Sequence, residues 1–161
     1  MAVFEVDPVD FGILFLLQHN ARDVTTKEMG EQVGVASSTV ATRIRNLETN
    51  GVIRGYVPTI DYEKVGFDHV YLVIGTGPER HETRNSFFEE ILDIDGVVSL
   101  RELAADEENF SIELVGRTRE QLFERLEELN ERGLKVTRIE MIKREHHQPF
   151  NHFGQHLVRD D

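Results

Sequence analysis

The sequence contains no cysteine, so neither a disulfide framework nor a thiolate metal site can form in this protein. It has no apolar run near the ~18 residues that a membrane-spanning helix needs, and its first residues do not resemble a secretion signal. We therefore expect a soluble, cytoplasmic protein without a membrane partner. Nucleophile motifs, glycine-rich phosphate loops and paired-carboxylate sites are also lacking, so we predict that it is not an enzyme and carries no cofactor.

Residues 25–50 carry the most informative pattern of the chain. Thr25 and Glu28 have the spacing of a capping box, which predicts a helix from Thr26 to Val33. Gly34 follows where the chain must turn, and a second helix is predicted from Ser37 to Asn50, ended by Gly51. Two short helices joined by a tight, glycine-containing turn are typical of a helix-turn-helix, whose second helix enters the major groove of DNA. An earlier helix is expected from Pro8, capped by Asp7 and with Asp10 in its first turn, to about Asn20.

The second helix of this pair has two different faces. Val40, Ile44 and Leu47 recur at helical spacing and are expected to face a core. The candidate DNA-binding residues are small, polar or basic, as base edges and phosphates require: Ser37, Ser38, Thr39, Thr42, Arg43, Arg45 and Asn46. For Arg45 we favour a groove or backbone contact. Arg43 is expected to project close to the core-facing side of this helix, so we favour an intradomain or phosphate-positioning role for it over base readout.

Basic residues are scarce for a nucleic-acid binder, which usually has a basic patch. The chain holds 18 Lys and Arg against 30 Asp and Glu, a net charge of −12. Residues 1–60 have five basic and seven acidic side chains, a net of −2, and the remainder has 13 against 23, a net of −10. One interpretation is a halophilic organism, because at ~1 M salt the Debye length is only ~3 Å and distant acids hardly repel DNA. The alternative is a protein that does not bind DNA.

From His69 onward the spacing of the apolar residues changes. It predicts strands and helices in the order β-α-β-β-α-β, which is a ferredoxin-like unit. The predicted fold class is therefore α+β, with a helix-turn-helix domain followed by a ferredoxin-like domain. Two helices on one face would leave the other sheet face bare, and we expect Tyr71, Val73 and Val115 on that bare face, where a second copy would dimerise. The predicted boundaries are 1–54 for the first domain, 55–67 for a linker strand, 68–144 for the second domain and 145–161 for a tail.

The predicted tail contains four histidines in eleven residues: His146, His147, His152 and His156. The last two have i, i+4 spacing, which would suit a metal ion if the segment were helical. A flexible or partner-packing polar tail is the simpler interpretation. A metal-responsive regulator remains an alternative function.

The run from Arg43 to Tyr56, RIxxLExxGVIxGY, resembles the Lrp/AsnC (leucine-responsive/asparagine-regulator) family of transcription factors, and the resemblance covers residues 7–143. It implies a winged helix-turn-helix bound to double-stranded DNA, an extended linker, a C-terminal domain that forms dimers or higher oligomers, and a small effector such as an amino acid. With the acidic composition, it suggests a halophilic archaeal origin. Some tetrapyrrole decarboxylases share the scaffold, but the expected cluster of basic side chains is not evident among His69, Arg101 and Arg138.

Two positions depart from the family pattern. Ala36 and Ser37 stand where Ser and then Pro are common, so the third helix either starts without a side-chain cap or shifts its cap to Ser37. Asp106 and Asn109 stand where the family often has Gly and then Asp near its effector pocket. The resemblance therefore makes Asp106, Asn109 and Phe110 candidate effector-binding residues.

Overall fold

The computed structural model describes residues 4–78 and 81–150. The chain divides into two compact units. Of the described residues, the first unit holds those up to Pro58 together with 146–150, and the second spans Thr59–Glu145. No helix of the described ranges is long and apolar enough to cross a membrane.

The first unit is a three-helix domain whose predicted helices are confirmed to within one residue at each end: α1 Pro8–Asn20, α2 Thr26–Val33 and α3 Ser37–Thr49. Its core is formed by one apolar face from each helix, and Ile13, Met29, Val40 and Leu47 are at most 2% exposed. Two of the helices begin with a capping box, in which the side chain of the cap residue accepts a hydrogen bond from a backbone N–H and its N3 partner accepts one in return.

The third helix begins without a side-chain cap. Ala36 is its N-cap, and its methyl group cannot accept a hydrogen bond from the first turn. The alternative in which the cap shifts to Ser37 is not observed, since Ser37 is already the first helical residue. The helix that carries the candidate DNA-binding face therefore starts with fewer satisfied N–H groups than its neighbours.

Ala36→Ser is expected to raise the free energy of unfolding by about 1 kcal/mol, because a serine hydroxyl at the N-cap accepts from an N–H of the first turn. Urea unfolding of the full chain measures the change. Ser37→Ala is the matched control and should change stability by less than about 0.5 kcal/mol. A loss near 1 kcal/mol in Ser37→Ala would show that Ser37 acts as the cap in solution.

The linker predicted as a strand over residues 55–67 contains no strand in the structure. Instead it has a single 3-10 turn, Glu63–Val65, at whose start the Asp61 carboxylate accepts a hydrogen bond from the Lys64 N–H at 3.2 Å. A strand needs a neighbouring strand to bond its backbone, and the described chain places none beside this segment. The sequence pattern could not reveal that missing neighbour.

The second unit is the predicted β-α-β-β-α-β arrangement. Its elements are β1 His69–Thr76, α4 His81–Leu92, β2 Val97–Glu102, β3 Phe110–Gly116, α5 Arg119–Glu131 and β4 Lys135–Met141. The strands form one antiparallel sheet in the order β2-β3-β1-β4, which is the ferredoxin-like topology. Both helices pack on the same face, where Phe87, Ile91, Leu126 and Leu129 join one core cluster with the strands.

The assignment of strand faces was wrong for two residues. Tyr71 and Val73 point to the helix-covered side and are 8% and 0% exposed within the core cluster. Val115 does lie on the opposite side, since it alternates with the core residue Leu114. Hydrophobicity could not show which residues of β1 face the helices, because Val70, Leu72 and Ile74 are as apolar as the two residues between them.

Candidate DNA-binding surface

The exposed side of α3 is a polar stripe. Val40 and Leu47 are fully buried and fix the opposite side against α1 and α2. Ser37, Ser38, Thr39, Thr42, Arg45 and Asn46 are all exposed, as the sequence pattern predicts. Thr49 extends the stripe by one more turn and was not among the predicted residues, although its i+4 spacing from Arg45 could have identified it.

Two hydroxyl groups on the stripe donate hydrogen bonds to backbone carbonyls of α3. Thr42 Oγ1 donates to the carbonyl of Ser38 at 3.0 Å, and Thr49 Oγ1 donates to the carbonyl of Arg45 at 2.8 Å. Each hydroxyl proton is thus occupied, while the oxygen keeps lone pairs that can accept a hydrogen bond. Within residues 4–78 and 81–150, no carboxylate lies within ion-pair distance of the Arg45 guanidinium. The stripe therefore offers hydroxyl acceptors and one guanidinium that forms no ion pair within the described part of the chain.

Arg43 is turned away from this stripe and toward the start of α1. Its Nη1 lies 2.5 Å from Asp7 Oδ2 and 3.1 Å from Asp10 Oδ2. The Asp10 side chain is only 4% exposed, whereas those of Arg43 and Asp7 are 35% and 41% exposed. We call these three side chains the acid–arginine clamp. It joins the N-terminus of α1 to the middle of α3, and the intradomain role favoured for Arg43 is the contact observed.

The clamp is built on the α1 capping box. Asp7 accepts a hydrogen bond from the Asp10 N–H at 3.0 Å, and Asp10 accepts one from the Asp7 N–H at 3.2 Å. The Asp10 N–H, followed by the Arg43 guanidinium, lowers the pKa of Asp7 below its ordinary value despite partial burial. The hydrogen bond to Asp7, followed by the negative charge of Asp10, raises the pKa of Arg43. Both carboxylates were assigned only helix-start roles from the sequence, because the burial of Asp10 depends on the position of α3.

The turn between α2 and α3 sets the angle at which the stripe is presented. Gly34 adopts the left-handed conformation (φ +77°), and both its N–H and that of Val35 donate to the carbonyl of Gly30 at 2.9 Å. A Cβ on Gly30 would lie 2.5 Å from the carbonyl oxygen of Val35. The turn therefore folds back directly onto α2 at a position where only glycine fits.

Residues 51–58, which we call the wing segment, follow α3 in place of a paired β-hairpin. Val52 and Ile53 both donate their N–H groups to the carbonyl of Leu47, at 2.9 and 3.1 Å. Farther along, the Tyr56 hydroxyl donates to Glu48 Oε1 at 3.0 Å. Partial burial, with Glu48 as the second cause, raises the pKa of Tyr56. These contacts hold the wing segment beside the C-terminal end of the polar stripe and engage the only carboxylate within α3.

The predicted effector residues do not form an open site. Phe110 is fully buried in the helix-side core against Phe87, with ring centroids 5.0 Å apart. Asn109 is 5% exposed, and its Oδ1 accepts a hydrogen bond from the Gly77 N–H at 2.9 Å. Only Asp106 is exposed. The first two residues thus stabilise the sheet and the loop after β1, and in this structure they present no surface to a ligand.

Among the described residues, the other candidate clusters are not assembled either. His146 and His147 are exposed, while His152 and His156 lie outside the described residues. Within the described ranges, no group of three side chains able to hold a metal ion is found. Arg101 and Arg138 lie on the two opposite edge strands of the sheet and pair with Glu113 and Glu108, each at 3.9 Å.

Comparison with known sequences matches the first unit to a DNA-binding family. A family model described as winged helix-turn-helix DNA-binding matches residues 6–54. The HTH-type transcriptional regulator LrpB of Bacillus subtilis is 39% identical over 69 residues, which are 43% of this chain and 46% of the relative. The glutamate uptake regulatory protein of Zymomonas mobilis is 31% identical over 103 residues, 63% of this chain and 62% of the relative. The match thus spans less than two thirds of either relative.

Comparison with solved structures extends over both units. The crystal structure of MtbAldR matches with a TM-score of 0.74 and 28% identity, over 89% of this chain and 97% of that one. Escherichia coli AsnC matches at 0.69 and 22% identity, over 88% and 95%. A Neisseria meningitidis transcriptional regulator solved with L-Met matches at 0.74 and 20% identity, over 92% and 99%.

The fold of the first unit and the matching family model define a winged helix-turn-helix domain of the DNA-binding class over residues 6–54. The chain is thus similar to helix-turn-helix transcription regulators of the Lrp/AsnC type, in sequence over its first unit and in fold over both units.

Proposed function

We propose that this protein regulates transcription by binding specific duplex DNA through the polar stripe of α3. The supporting observation is the stripe itself, six exposed polar or basic side chains on a helix whose other face is fixed by a fully buried core. In this proposal Ser38, Thr39, Thr42 and Arg45 read base edges, and first-turn N–H groups bind phosphate. Such a regulator works beside the chromosome, so we also propose a cytoplasmic location.

Arg45→Ala should weaken specific DNA binding about tenfold, since a well-placed arginine contact contributes about 1–3 kcal/mol. A duplex selected by the full-length protein from a randomised pool provides the target, and fluorescence anisotropy measures the affinity. If Arg45 contacts phosphate, the slope of log affinity against log salt also falls by about one. Arg22→Ala is the matched control, because Arg22 lies on the loop between α1 and α2 and is exposed. Equal affinities for both variants and wild type would remove Arg45 from the interface.

A second copy of the chain is proposed to pack on the sheet face that carries no helix. The strand register places Val70, Leu72, Ile74 and Val115 there, and Val70 and Leu72 keep part of their apolar surface exposed for a partner to bury. Leu72→Lys should therefore convert a dimer into a monomer in size-exclusion chromatography with light scattering. Glu124→Lys, on the exposed side of α5, should leave the mass unchanged. A dimer that survives Leu72→Lys would place the interface elsewhere.

Two finer features belong to the same proposal. The Neisseria regulator was solved with L-Met, so a small effector, such as an amino acid, is proposed to modulate this protein too. The excess of acidic side chains outside residues 1–60 fits a salt-rich cytoplasm such as that of a halophilic archaeon. In that case DNA affinity should persist at molar KCl.

A further inference from the structure

A cavity of about 450 Å³ lies at one end of the ferredoxin-like sheet, where β1 begins and β3 ends. The start of α5 and the loop between α4 and β2 complete its wall. This volume is within the range of small-molecule sites in proteins. None of the predicted effector residues Asp106, Asn109 and Phe110 lines it.

One wall of the cavity carries an arginine that has no acidic partner among the residues described. The Arg117 guanidinium stacks on the Phe67 ring, 4.4 Å from its centroid, and no carboxylate of the described chain is within ion-pair distance. Its neighbour Arg125, by contrast, pairs with Asp95 at 3.5 Å and with Glu128 at 3.2 Å. In a domain rich in carboxylates, the Arg117 charge is thus held by an aromatic face and left available to an anion.

Two uncharged donors line the same cavity. The Gln121 Oε1 accepts the Arg117 N–H at 2.9 Å, whereas no acceptor for its Nε2 is found among the residues described. Tyr71 is 8% exposed, and its hydroxyl has no hydrogen-bond partner within those residues. The hydroxyl is not sealed off, because every fully buried side-chain polar atom of the described chain has a partner. Tyrosine hydroxyls in such buried positions usually have a partner, so the cavity is where this one would find it.

The remaining wall is apolar. Leu114 and Leu122 line it beside the Phe67 ring. The cavity therefore combines a hydrocarbon surface with hydrogen-bond donors that face no unpaired carboxylate. A carboxylate accepts from several donors at once and is neutralised by a guanidinium, while an aliphatic chain would cover the apolar wall. An ammonium group would find only Asp95, which already pairs with Arg125.

We propose that this cavity binds a small monocarboxylate with an apolar body, held by Arg117, Tyr71 and Gln121. The proposal rests on the effector part of the proposed function and gives it a site and a ligand class. The site favours a simple carboxylic acid over the corresponding amino acid, because it offers no unpaired acid to the amine.

Isothermal titration calorimetry of the full-length protein, without DNA, tests the proposal with three probes of one carbon skeleton. 4-Methylpentanoate should bind with a Kd of about 1 mM or tighter. Both 4-methylpentan-1-ol, which lacks the charge, and L-leucine, which adds the amine, should bind at least about tenfold more weakly. Absence of 4-methylpentanoate binding at about 10 mM, or tighter binding of leucine, would overturn the proposal.

Three variants locate the binding. Arg117→Gln removes the charge and should weaken 4-methylpentanoate binding at least about tenfold, and Tyr71→Phe, which keeps the core packing, should weaken it several-fold. Arg101→Gln is the matched arginine control on β2, outside the cavity, and should bind as wild type does. If Arg117→Gln and Tyr71→Phe both keep wild-type affinity, the ligand does not bind here. Because no DNA is present, a negative result leaves the DNA-binding proposal standing.

Discussion

Gly30→Ala is expected to destabilise the helix-turn-helix unit by about 2–3 kcal/mol and to weaken DNA binding in the molecules that remain folded. The added methyl would lie 2.5 Å from the Val35 carbonyl oxygen, closer than any van der Waals contact allows. The obstacle is backbone, so it cannot be relieved by a side-chain rotation, and overpacking of this kind costs about 1–3 kcal/mol or more. Alanine's better helix propensity offsets at most about 1 kcal/mol of this.

The second consequence is geometric. The turn can accept a methyl at residue 30 only by moving away from α2, and this movement tilts α3 relative to the buried core. We therefore expect an affinity loss of at least about tenfold, measured at a temperature where circular dichroism shows the variant folded. Such a loss comes from misplacement of the stripe, not from the removal of any contact with DNA.

Gly51→Ala is the matched control for Gly30→Ala. Gly51 adopts the left-handed conformation (φ +70°), but a Cβ added there would have no other atom within 4 Å. Its replacement should cost about 1–2 kcal/mol of backbone strain without changing the affinity of the folded molecules. If Gly30→Ala and Gly51→Ala have equal effects on DNA affinity, the close approach at the turn does not set the orientation of α3.

Asp10→Ala is expected to lower the free energy of unfolding by about 2–3 kcal/mol. The substitution removes the buried carboxylate that accepts both the Arg43 guanidinium and the Asp7 N–H. Breaking a fully buried ion pair costs about 3–5 kcal/mol. The value here is lower because Arg43 is 35% exposed and keeps Asp7 as a partner. Urea unfolding followed by circular dichroism measures the change.

Two comparisons make the Asp10 prediction specific. Asp23→Ala removes an exposed carboxylate whose pair with Arg22 spans 3.8 Å, and it should change stability by less than about 0.5 kcal/mol. Combining Asp10→Ala with Arg43→Met should cost less than the sum of the two single changes, because the second removes the charge that the first leaves without its buried partner. Strict additivity, or an Asp10→Ala variant as stable as Asp23→Ala, would mean that the acid–arginine clamp contributes little.

Local signals determined the elements of this chain. The caps at Asp7 and Thr25, the left-handed glycine at residue 34 and the alternation from His69 onward are all properties of neighbouring residues, and helices and strands respond to them directly. The same signals identified the stripe on α3, because a helix with one apolar face necessarily presents the other. The resemblance over Arg43–Tyr56 then indicated the function proposed above, which hydrophobic spacing alone does not specify.

Contacts between distant residues were decided only by the tertiary structure. Asp10 meets Arg43 across 33 positions of sequence, and the phase of β1 depends on which side the helices cover. The pattern of apolar residues predicts neither the Asp10–Arg43 contact nor the orientation of β1. Whether a polar side chain is buried, and which of two apolar strand faces points to the core, depends on elements that are distant in sequence. Thus the sequence by itself determined a helix-turn-helix and a ferredoxin-like sheet, while packing decided that Arg43 belongs to the clamp and that Arg117 and Tyr71 share a cavity.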